Sequence, residues 1–213
     1  MTLPNDPTMA IDILLEPDAR MLERAEANNA RLLQVFPKGF ALDAAHRPHV
    51  TLVQRFVRTA ELDQVFAAVE KVLAGVRLDD MELEAIRYYY IPSQEIGLAG
   101  IVVKPTPGLL ELQAALIEAV APFTTETGDS SAFVTTPDDP VIDPLLIQYV
   151  SAFVPKASGE HFNPHVSTGV ATRKDLDQML AEPFESFDFA FSGAAVYQLG
   201  QFGTAARKLK GWD

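Results

Sequence analysis

The order of apolar and polar residues predicts alternating strands and helices in the first part of the chain. Residues 10–15 form a short apolar run typical of a strand, and residues 18–36 place apolar side chains at the helical period. Residues 49–57 are rich in β-branched and aromatic side chains, which favours a strand, whereas residues 61–73 again follow the helical period. A strand over residues 83–91 ends this set of elements.

A similar order of elements returns after about residue 96. A strand is predicted over residues 98–103 and a helix over residues 109–120, and a long loop rich in Thr, Asp, Ser and Pro follows. The remaining predicted elements are a strand over residues 145–154, a strand over residues 165–171, a helix that begins near residue 173, and closing strands over residues 188–199 and 204–209. Helices and strands are interspersed throughout, which indicates an α+β fold.

Two short sequence repeats indicate that the second part of the chain duplicates the first. Pro-His-Val-Thr at residues 48–51 is nearly identical to Pro-His-Val-Ser at residues 164–167. Downstream of these motifs the predicted helices begin with similar sequences, Glu-Leu-Asp-Gln at residues 61–64 and Asp-Leu-Asp-Gln at residues 175–178. Two copies are too few for a solenoid, so the copies are expected to pack face to face.

We therefore predict a single bilobal α+β domain over residues 1–213, with lobes of about residues 1–95 and 96–213 related by internal duplication. Each lobe is expected to hold an antiparallel sheet with helices on the outside. The two repeated motifs are then expected to meet in the cleft between the lobes.

The composition of the chain narrows the ligands and locations to consider. The 213 residues include 48% apolar residues, which suit an ordinary core, and no cysteine, which excludes disulfides and thiolate chemistry. The formal charge of −12 disfavours duplex DNA and favours a small phosphorylated ligand in a local pocket. No apolar run is long enough for a membrane span, and residues 1–6 lack the order of a signal peptide. We expect a cytoplasmic protein, and we expect it to be a monomer.

The repeated motifs each present an imidazole and a hydroxyl on one side of a strand. Because side chains alternate along a strand, His49 and Thr51 share one face, and so do His165 and Ser167. Neutral imidazole accepts a proton, imidazolium donates one, and a hydroxyl holds a phosphate oxygen by a hydrogen bond. The two motifs therefore predict one composite site that processes a phosphoester.

In these paired motifs and the duplicated α+β order, the chain resembles the 2H phosphoesterase superfamily, also called LigT-like or 2′-5′ RNA ligase-like proteins. The resemblance implies that His49 and His165 act as general base and general acid, in an order that the sequence leaves open, while Thr51 and Ser167 bind the phosphate. It also implies a hydrolase, a phosphodiesterase that cleaves a 2′,3′-cyclic phosphate or a 2′-5′ bond of a nucleotide or RNA end without a metal or other cofactor. Ser167 stands where many members carry threonine, which preserves the hydroxyl.

Five further residues are candidates for contact with a substrate. Arg55 shares the parity of the motif side chains if the strand is regular, although a solvated charge is the alternative. His46 and His161 precede the two motifs, and the prolines after them argue against the helix that a His-x-x-x-His zinc pair needs, so we expect loop residues that border the cleft. Phe56 and Tyr149 offer rings on which a base can stack, with core packing as the alternative.

Two other groups of residues suit a nucleotide ligand. The run of three tyrosines at residues 88–90 offers further stacking surfaces. Four more cationic side chains are available to offset phosphate charge, namely Arg47, Lys104, Lys156 and Arg173.

Two rival functions stay open from the sequence. A noncatalytic nucleotide-binding module would keep the fold and the phosphate-binding residues but show no turnover. A His-based metallohydrolase would lose its activity to a chelator, unlike the metal-independent phosphodiesterase that we favour. The base and sugar, the position of the product phosphate, and the choice between hydrolysis and ligation are not specified by these motifs.

Overall fold

The computed structural model describes residues 7–78, 81, 83–137 and 140–212. Residues 1–6, on which the expectation about a signal peptide rests, lie outside these ranges. The strands are β1 (Thr8–Pro17), β2 (Val50–Arg58), β3 (Leu83–Ser93), β4 (Ile96–Val103), β5 (Thr124–Thr125), β6 (His165–Thr172), β7 (Phe187–Phe189), β8 (Phe191–Leu199) and β9 (Ala205–Trp212). The helices are α1 (Ala19–Val35), α2 (Leu62–Leu73), α3 (Pro107–Val120), α4 (Pro144–Ser151), α5 (Phe153–Ala157) and α6 (Arg173–Leu180). The predicted α+β class is confirmed.

The described strands form one antiparallel sheet of nine strands. Their order across the sheet is β7-β3-β4-β6-β2-β1-β8-β9, and the two-residue β5 pairs with β2. Within the described ranges, the junction between β6 and β2 is the single residue pair Val166 and Val50. The expected two antiparallel sheets are therefore two four-stranded groups of one sheet, and they meet at the middle residues of the two histidine motifs.

The same order of elements occurs twice along the chain. The set β1, α1, β2, α2, β3 is followed by the set β4, α3, β6, α6, β8, with the other elements as additions. The third strand of each set joins the other set, because β3 pairs with β4 and β8 pairs with β1. The predicted lobe boundary falls in the tight turn of the β3–β4 hairpin, where Ser93 pairs with Ile96. Each four-stranded group of the sheet therefore contains strands from both predicted lobes. The common origin of the two sets stays a prediction.

Local sequence explains where the main helices begin. The Asp18 carboxylate accepts a hydrogen bond from the Met21 amide at the start of α1, and the Thr172 hydroxyl accepts one from the Asp175 amide at the start of α6. Such side-chain caps satisfy amides that have no partner within the helix. α3 begins at Pro107, whose fixed φ suits the first helical position.

The helices pack on strands of the opposite set as well as their own. The largest buried cluster joins α2 and α3 to β1 and β2, and a second cluster joins α1 and α6 to β4 and β6. α1, from the first set, thus lies on β6, and α3, from the second set, lies on β2. A third cluster packs α4 against Phe56 of β2. Burial of these apolar faces ties the two sets into one unit.

The strand predicted over residues 145–154 is wrong, because this segment forms most of α4 and the start of α5. Asp143 caps α4 by accepting a hydrogen bond from the Leu145 amide, and Pro144 occupies the first helical position. A short apolar run has no periodicity that separates a buried strand from a helix. The Asp-Pro pair just before the run is the signal that favours the helix.

Candidate active site

Both motif strands contain a β-bulge immediately after the hydroxyl residue. The pairing of β1 with β2 skips Leu52, which follows Thr51, and the pairing of β4 with β6 skips Thr168, which follows Ser167. Gly169 comes next and has a φ of +142°, a conformation that residues with a side chain rarely adopt. The bulges increase the local twist and change which later side chains face the site.

The bulge at Leu52 explains why Arg55 does not reach the site. Beyond the extra residue the alternation of β2 is shifted, so that Gln54 follows Thr51 on the cavity side and Arg55 does not line the cavity. The predicted parity assumed a regular strand, and this part of the prediction is wrong. Arg55 is instead half-buried on the helix-covered side, where partial burial lowers the pKa of its guanidinium.

A buried carboxamide holds each bulge in place. Asn29 of α1 donates a hydrogen bond of 2.9 Å to the carbonyl oxygen of Thr168, and Gln113 of α3 donates one of 3.0 Å to the carbonyl oxygen of Leu52. Their side chains are only 5% and 1% exposed. Each motif strand is therefore supported in the same way, by a carboxamide from a helix of the other set.

Each carboxamide also holds the segment that leads into the other motif. Asn29 donates to the Phe40 carbonyl at 2.9 Å and accepts from the Leu42 amide at 3.2 Å, in the loop before the first motif. Gln113 donates to the Ala157 carbonyl at 3.1 Å and accepts from the Gly159 amide at 3.2 Å, before the second motif. Each carboxamide thus links the bulge of one motif strand to the backbone of the segment that precedes the other motif.

The four motif side chains meet on the wall of one cavity of about 440 Å³. His49, Thr51, His165 and Ser167 all line it. β2 and β6 are adjacent at the centre of the sheet, which brings the two motifs side by side although they are far apart in sequence. The structure therefore brings together the four residues that the motifs singled out.

The two histidines are oriented by the same backbone contact. Nδ1 of His49 lies 2.7 Å from the carbonyl oxygen of Arg47, and Nδ1 of His165 lies 2.8 Å from that of Asn163. A carbonyl oxygen only accepts hydrogen bonds, so Nδ1 carries the proton in both rings. Nε2 is left as the nitrogen that gains and loses a proton on each histidine. Both rings are thus prepared for acid–base chemistry.

Asp12 of β1 is a site residue that the sequence analysis missed. Its Oδ2 accepts a hydrogen bond of 2.6 Å from the Thr51 hydroxyl and one of 3.0 Å from Nε2 of Gln54, and it lies 3.3 Å from Nε2 of His49. The signal was present in the sequence, because Asp12 is a charged residue inside an apolar run that predicts a buried strand. A carboxylate at such a position needs a specific partner.

The surroundings shift the pKa values of the two histidines in opposite directions from the ordinary 6.5. Burial by itself lowers the pKa of His49, but the hydrogen bond and negative charge of Asp12 and the Arg47 carbonyl outweigh burial and leave the pKa raised. Burial lowers the pKa of His165, the Asn163 carbonyl offsets part of that change, and the nearby His49 charge lowers it further. Oppositely shifted groups in one site are typical of an acid and base pair.

The other predicted contact residues divide into two groups. Tyr149 lines the cavity from α4, where burial and the charge of Asp12 raise its pKa to about 12, and the largely exposed His161 lines the rim. Phe56 packs edge-on against Phe133 in the core and does not line the cavity. His46 stacks on Phe40 beside the main cavity, in the loop before the first motif.

The run of three tyrosines is split between two environments. Tyr89 lines the cavity, and its ring centroid lies 5.4 Å from that of His165. Tyr88 and Tyr90 point to the other face of the sheet, where they pack against the cluster that includes α1 and α6. Strand alternation therefore leaves one of the three rings available to a ligand.

The cationic candidates are also separated by the fold. Lys156 lines the cavity, and it is the one Lys or Arg among the described residues that do. Lys104 pairs with Glu84 at 3.0 Å, and Arg173 is the first residue of α6. Arg47 contributes the carbonyl that orients His49.

The described residues hold no candidate metal cluster and no candidate membrane-spanning helix. No group of three or more His, Cys, Asp or Glu side chains in that part of the chain is arranged to hold a metal ion. Likewise, none of the described helices is long and apolar enough to cross a membrane.

Comparison with known proteins identifies the family of this chain. A family model described as the 2′-5′ RNA ligase superfamily matches residues 19–199. The fold is similar to that of E. coli LigT in complex with ATP, with a TM-score of 0.50, 14% identity, and coverage of 96% of this chain and 97% of LigT. It is also similar to TT0787 of Thermus thermophilus, with a TM-score of 0.56, 15% identity, and coverage of 96% and 97%. A search among curated proteins found no match. The family match spans most of the chain, which therefore belongs to the 2′-5′ RNA ligase superfamily of 2H phosphoesterases.

Proposed function

We propose that the protein is a metal-independent phosphodiesterase that hydrolyses 2′,3′-cyclic phosphates or 2′-5′ phosphodiester bonds of nucleotides or RNA ends. The observation that carries this proposal is the meeting of two histidines and two hydroxyls in one cavity. One imidazole accepts the proton of the attacking water and the other protonates the departing ribose oxygen. The Ser167 hydroxyl donates a hydrogen bond to the phosphate, and the Thr51 hydroxyl does so by turning from Asp12 to the substrate.

The size and lining of the cavity support a small nucleotide. A volume of about 440 Å³ lies within the range of roughly 300–1,000 Å³ that small-molecule pockets occupy. Tyr89, Tyr149 and Phe153 give its wall aromatic surfaces on which a base can stack. The fold neighbour LigT has been crystallised with ATP, which shows that a protein of similar fold binds a nucleotide.

The charges around the cavity support a ligand with a single phosphate group. Lys156 is the one Lys or Arg among the described lining residues, and the acidic Asp143 also lines the cavity. The whole chain carries a formal charge of −12. A long nucleic acid needs several cationic contacts along its backbone, so we favour a cyclic mononucleotide or a short RNA end.

The proposal is tested by turnover in the presence of a chelator. Metal-stripped protein is incubated with EDTA and a panel of 2′,3′-cyclic nucleotides and 2′-5′ dinucleotides, and products are followed by chromatography and ³¹P NMR. We expect hydrolysis of at least one substrate at the same rate with and without EDTA. Nucleotide binding without turnover would instead establish a binding module, and activity lost to EDTA would establish a metallohydrolase.

Lys156→Ala is expected to weaken substrate binding with little effect on the chemical step. An exposed cation at the rim contributes up to ~1 kcal/mol to an ion pair, so KM should rise about two- to fivefold while kcat stays within about twofold. Steady-state kinetics at low ionic strength measure the change. Lys104→Ala is the matched control, because Lys104 is paired with Glu84 and lies outside the cavity. Equal effects of the two substitutions would show that Lys156 does not contact the substrate.

A further inference from the structure

The surroundings of the two histidines differ at corresponding positions of the two sets of strands. Asp12 pairs with Gln54 across β1 and β2, next to the first bulge. The corresponding pair across β4 and β6, next to the second bulge, is Leu98 and Val170, which line the cavity. A carboxylate and an amide near one histidine are thus replaced by two apolar side chains near the other. The two nearly identical motifs therefore lie in chemically different halves of the site.

Asp12 has the burial and contacts of a residue that needs a cation. Its side chain is 0% exposed, and its Oδ1 is buried without a hydrogen-bond partner among the described residues. Its Oδ2 faces the Thr51 hydroxyl and the amide of Gln54, which are neutral, and Nε2 of His49 at 3.3 Å. A buried carboxylate is strongly destabilised unless it is paired. A proton on Nε2 of His49 supplies that pairing.

We propose that Asp12 is a positioning residue that keeps His49 protonated, so that His49 is the proton donor of the reaction and His165 is the proton acceptor. This proposal rests on the proposed phosphodiesterase function. The water oxygen forms a bond to phosphorus and gives its proton to Nε2 of His165. The bond between phosphorus and the ribose oxygen breaks, and that oxygen takes the proton from Nε2 of His49. Exchange with solvent then returns a proton to His49 and removes one from His165.

The charge balance of the site agrees with this assignment. Protonated His49 and ionised Asp12 form a neutral pair, so the carboxylate does not add net negative charge beside the incoming phosphate. Among the described residues, the titratable or charged groups around His49 are Asp12 and Glu16 on β1, His46 and Arg47 in the preceding loop, His165 on β6, and Tyr149 on α4 near Asp12. Of these, Asp12 is the carboxylate in direct contact with His49.

The pH dependence follows from the two shifted pKa values. The base is lost as the pH falls through the lowered pKa of His165, and the acid is lost as the pH rises through the raised pKa of His49. The pKa of His165 lies below 6.5 and that of His49 lies above it, so activity should be highest in the pH range between the two pKa values. The opposite assignment of roles would use each histidine in its less populated protonation state.

Replacing Asp12 with asparagine tests the assignment, because asparagine keeps the size and an accepting oxygen but not the charge. NMR titration of the imidazole signals, assigned with His49→Ala and His165→Ala, should show wild-type His49 titrating above His165. In D12N the His49 titration should move to lower pH. Glu16→Gln, which removes a more distant carboxylate from the same strand, should move it much less. Wild-type His49 titrating at or below His165, or an unchanged His49 in folded D12N, would overturn the proposal; if D12N does not fold, the wild-type order alone decides.

Kinetics give a second readout that separates this proposal from the proposed function. D12N should lower kcat/KM about tenfold more at pH 8 than at pH 6. Moving the His49 titration down by one pH unit lowers the protonated fraction of His49 about tenfold at the higher pH. A purely structural role of Asp12 would lower kcat/KM by the same factor at both pH values, which would contradict the proposal. Absence of wild-type turnover on all 2′,3′-cyclic nucleotides and 2′-5′ dinucleotides of the panel would refute the proposed function, and the NMR titration would still decide the role of Asp12.

Discussion

Replacing His165 with alanine is expected to lower kcat for a 2′,3′-cyclic nucleotide by about 10²–10⁴-fold, the usual contribution of a general acid or base. His165 is oriented by the Asn163 carbonyl, and its lowered pKa keeps Nε2 unprotonated and able to accept a proton near neutral pH. His49→Ala should cause a loss of similar size, because it removes the proton donor. Steady-state rates over a range of pH measure both losses.

A third histidine of the cavity provides the comparison for these variants. His161 lines the rim, and its side chain is 60% exposed. His161→Ala should therefore leave kcat within about threefold of wild type, since substitution of an exposed side chain outside the two motifs removes neither the proposed proton donor nor the proposed proton acceptor. If His49→Ala or His165→Ala kept more than about a tenth of wild-type kcat, the two-histidine mechanism would be wrong.

Asn29→Ala is expected to destabilise the fold by about 3 kcal/mol or more. Alanine leaves the buried carbonyl oxygens of Phe40 and Thr168, and the partly buried amide of Leu42, without their present partner. Each unsatisfied buried group costs roughly 1–3 kcal/mol. The loss should appear as a lower urea midpoint at an unchanged slope. Gln113→Ala removes the corresponding brace of the first motif and should behave similarly.

A surface amide on the same helix is the control for Asn29. Gln34 is exposed on α1, so Gln34→Ala should change the free energy of unfolding by no more than about 0.5 kcal/mol. A change in Asn29→Ala as small as that of the control would show that water or a backbone shift satisfies the groups that Asn29 now holds. The two bulges would then not depend on their carboxamides.

The sequence predicted the fold class and the meeting of the four motif side chains because both depend on local patterns that occur twice. The strand pattern around each motif placed an imidazole and a hydroxyl on one face, and the structure brings His49, Thr51, His165 and Ser167 to one cavity. The helices of both sets were predictable from their apolar period and their starting residues. What these patterns share is that they involve residues close together in the chain.

Features that depend on contacts between distant segments were not predictable in this way. A bulge depends on how two strands pair, and the apolar and polar pattern of one strand does not predict it. The bulge brings Gln54 instead of Arg55 to the cavity side of β2. The helix α4 was missed for a different reason, since its short apolar run fits either element. Asp12 was visible in the sequence as a charge in an apolar run, but its partners are given only by the pairing of β1 with β2.

A crystal structure of the protein with a bound nucleoside 2′-monophosphate tests the shared site. We predict that the phosphate lies between Nε2 of His49 and Nε2 of His165, with the hydroxyls of Thr51 and Ser167 within hydrogen-bonding distance and the base against Tyr89 or Tyr149. A phosphate held at the rim by Lys156, without contact to either motif histidine, would contradict the composite site on which the proposed function depends.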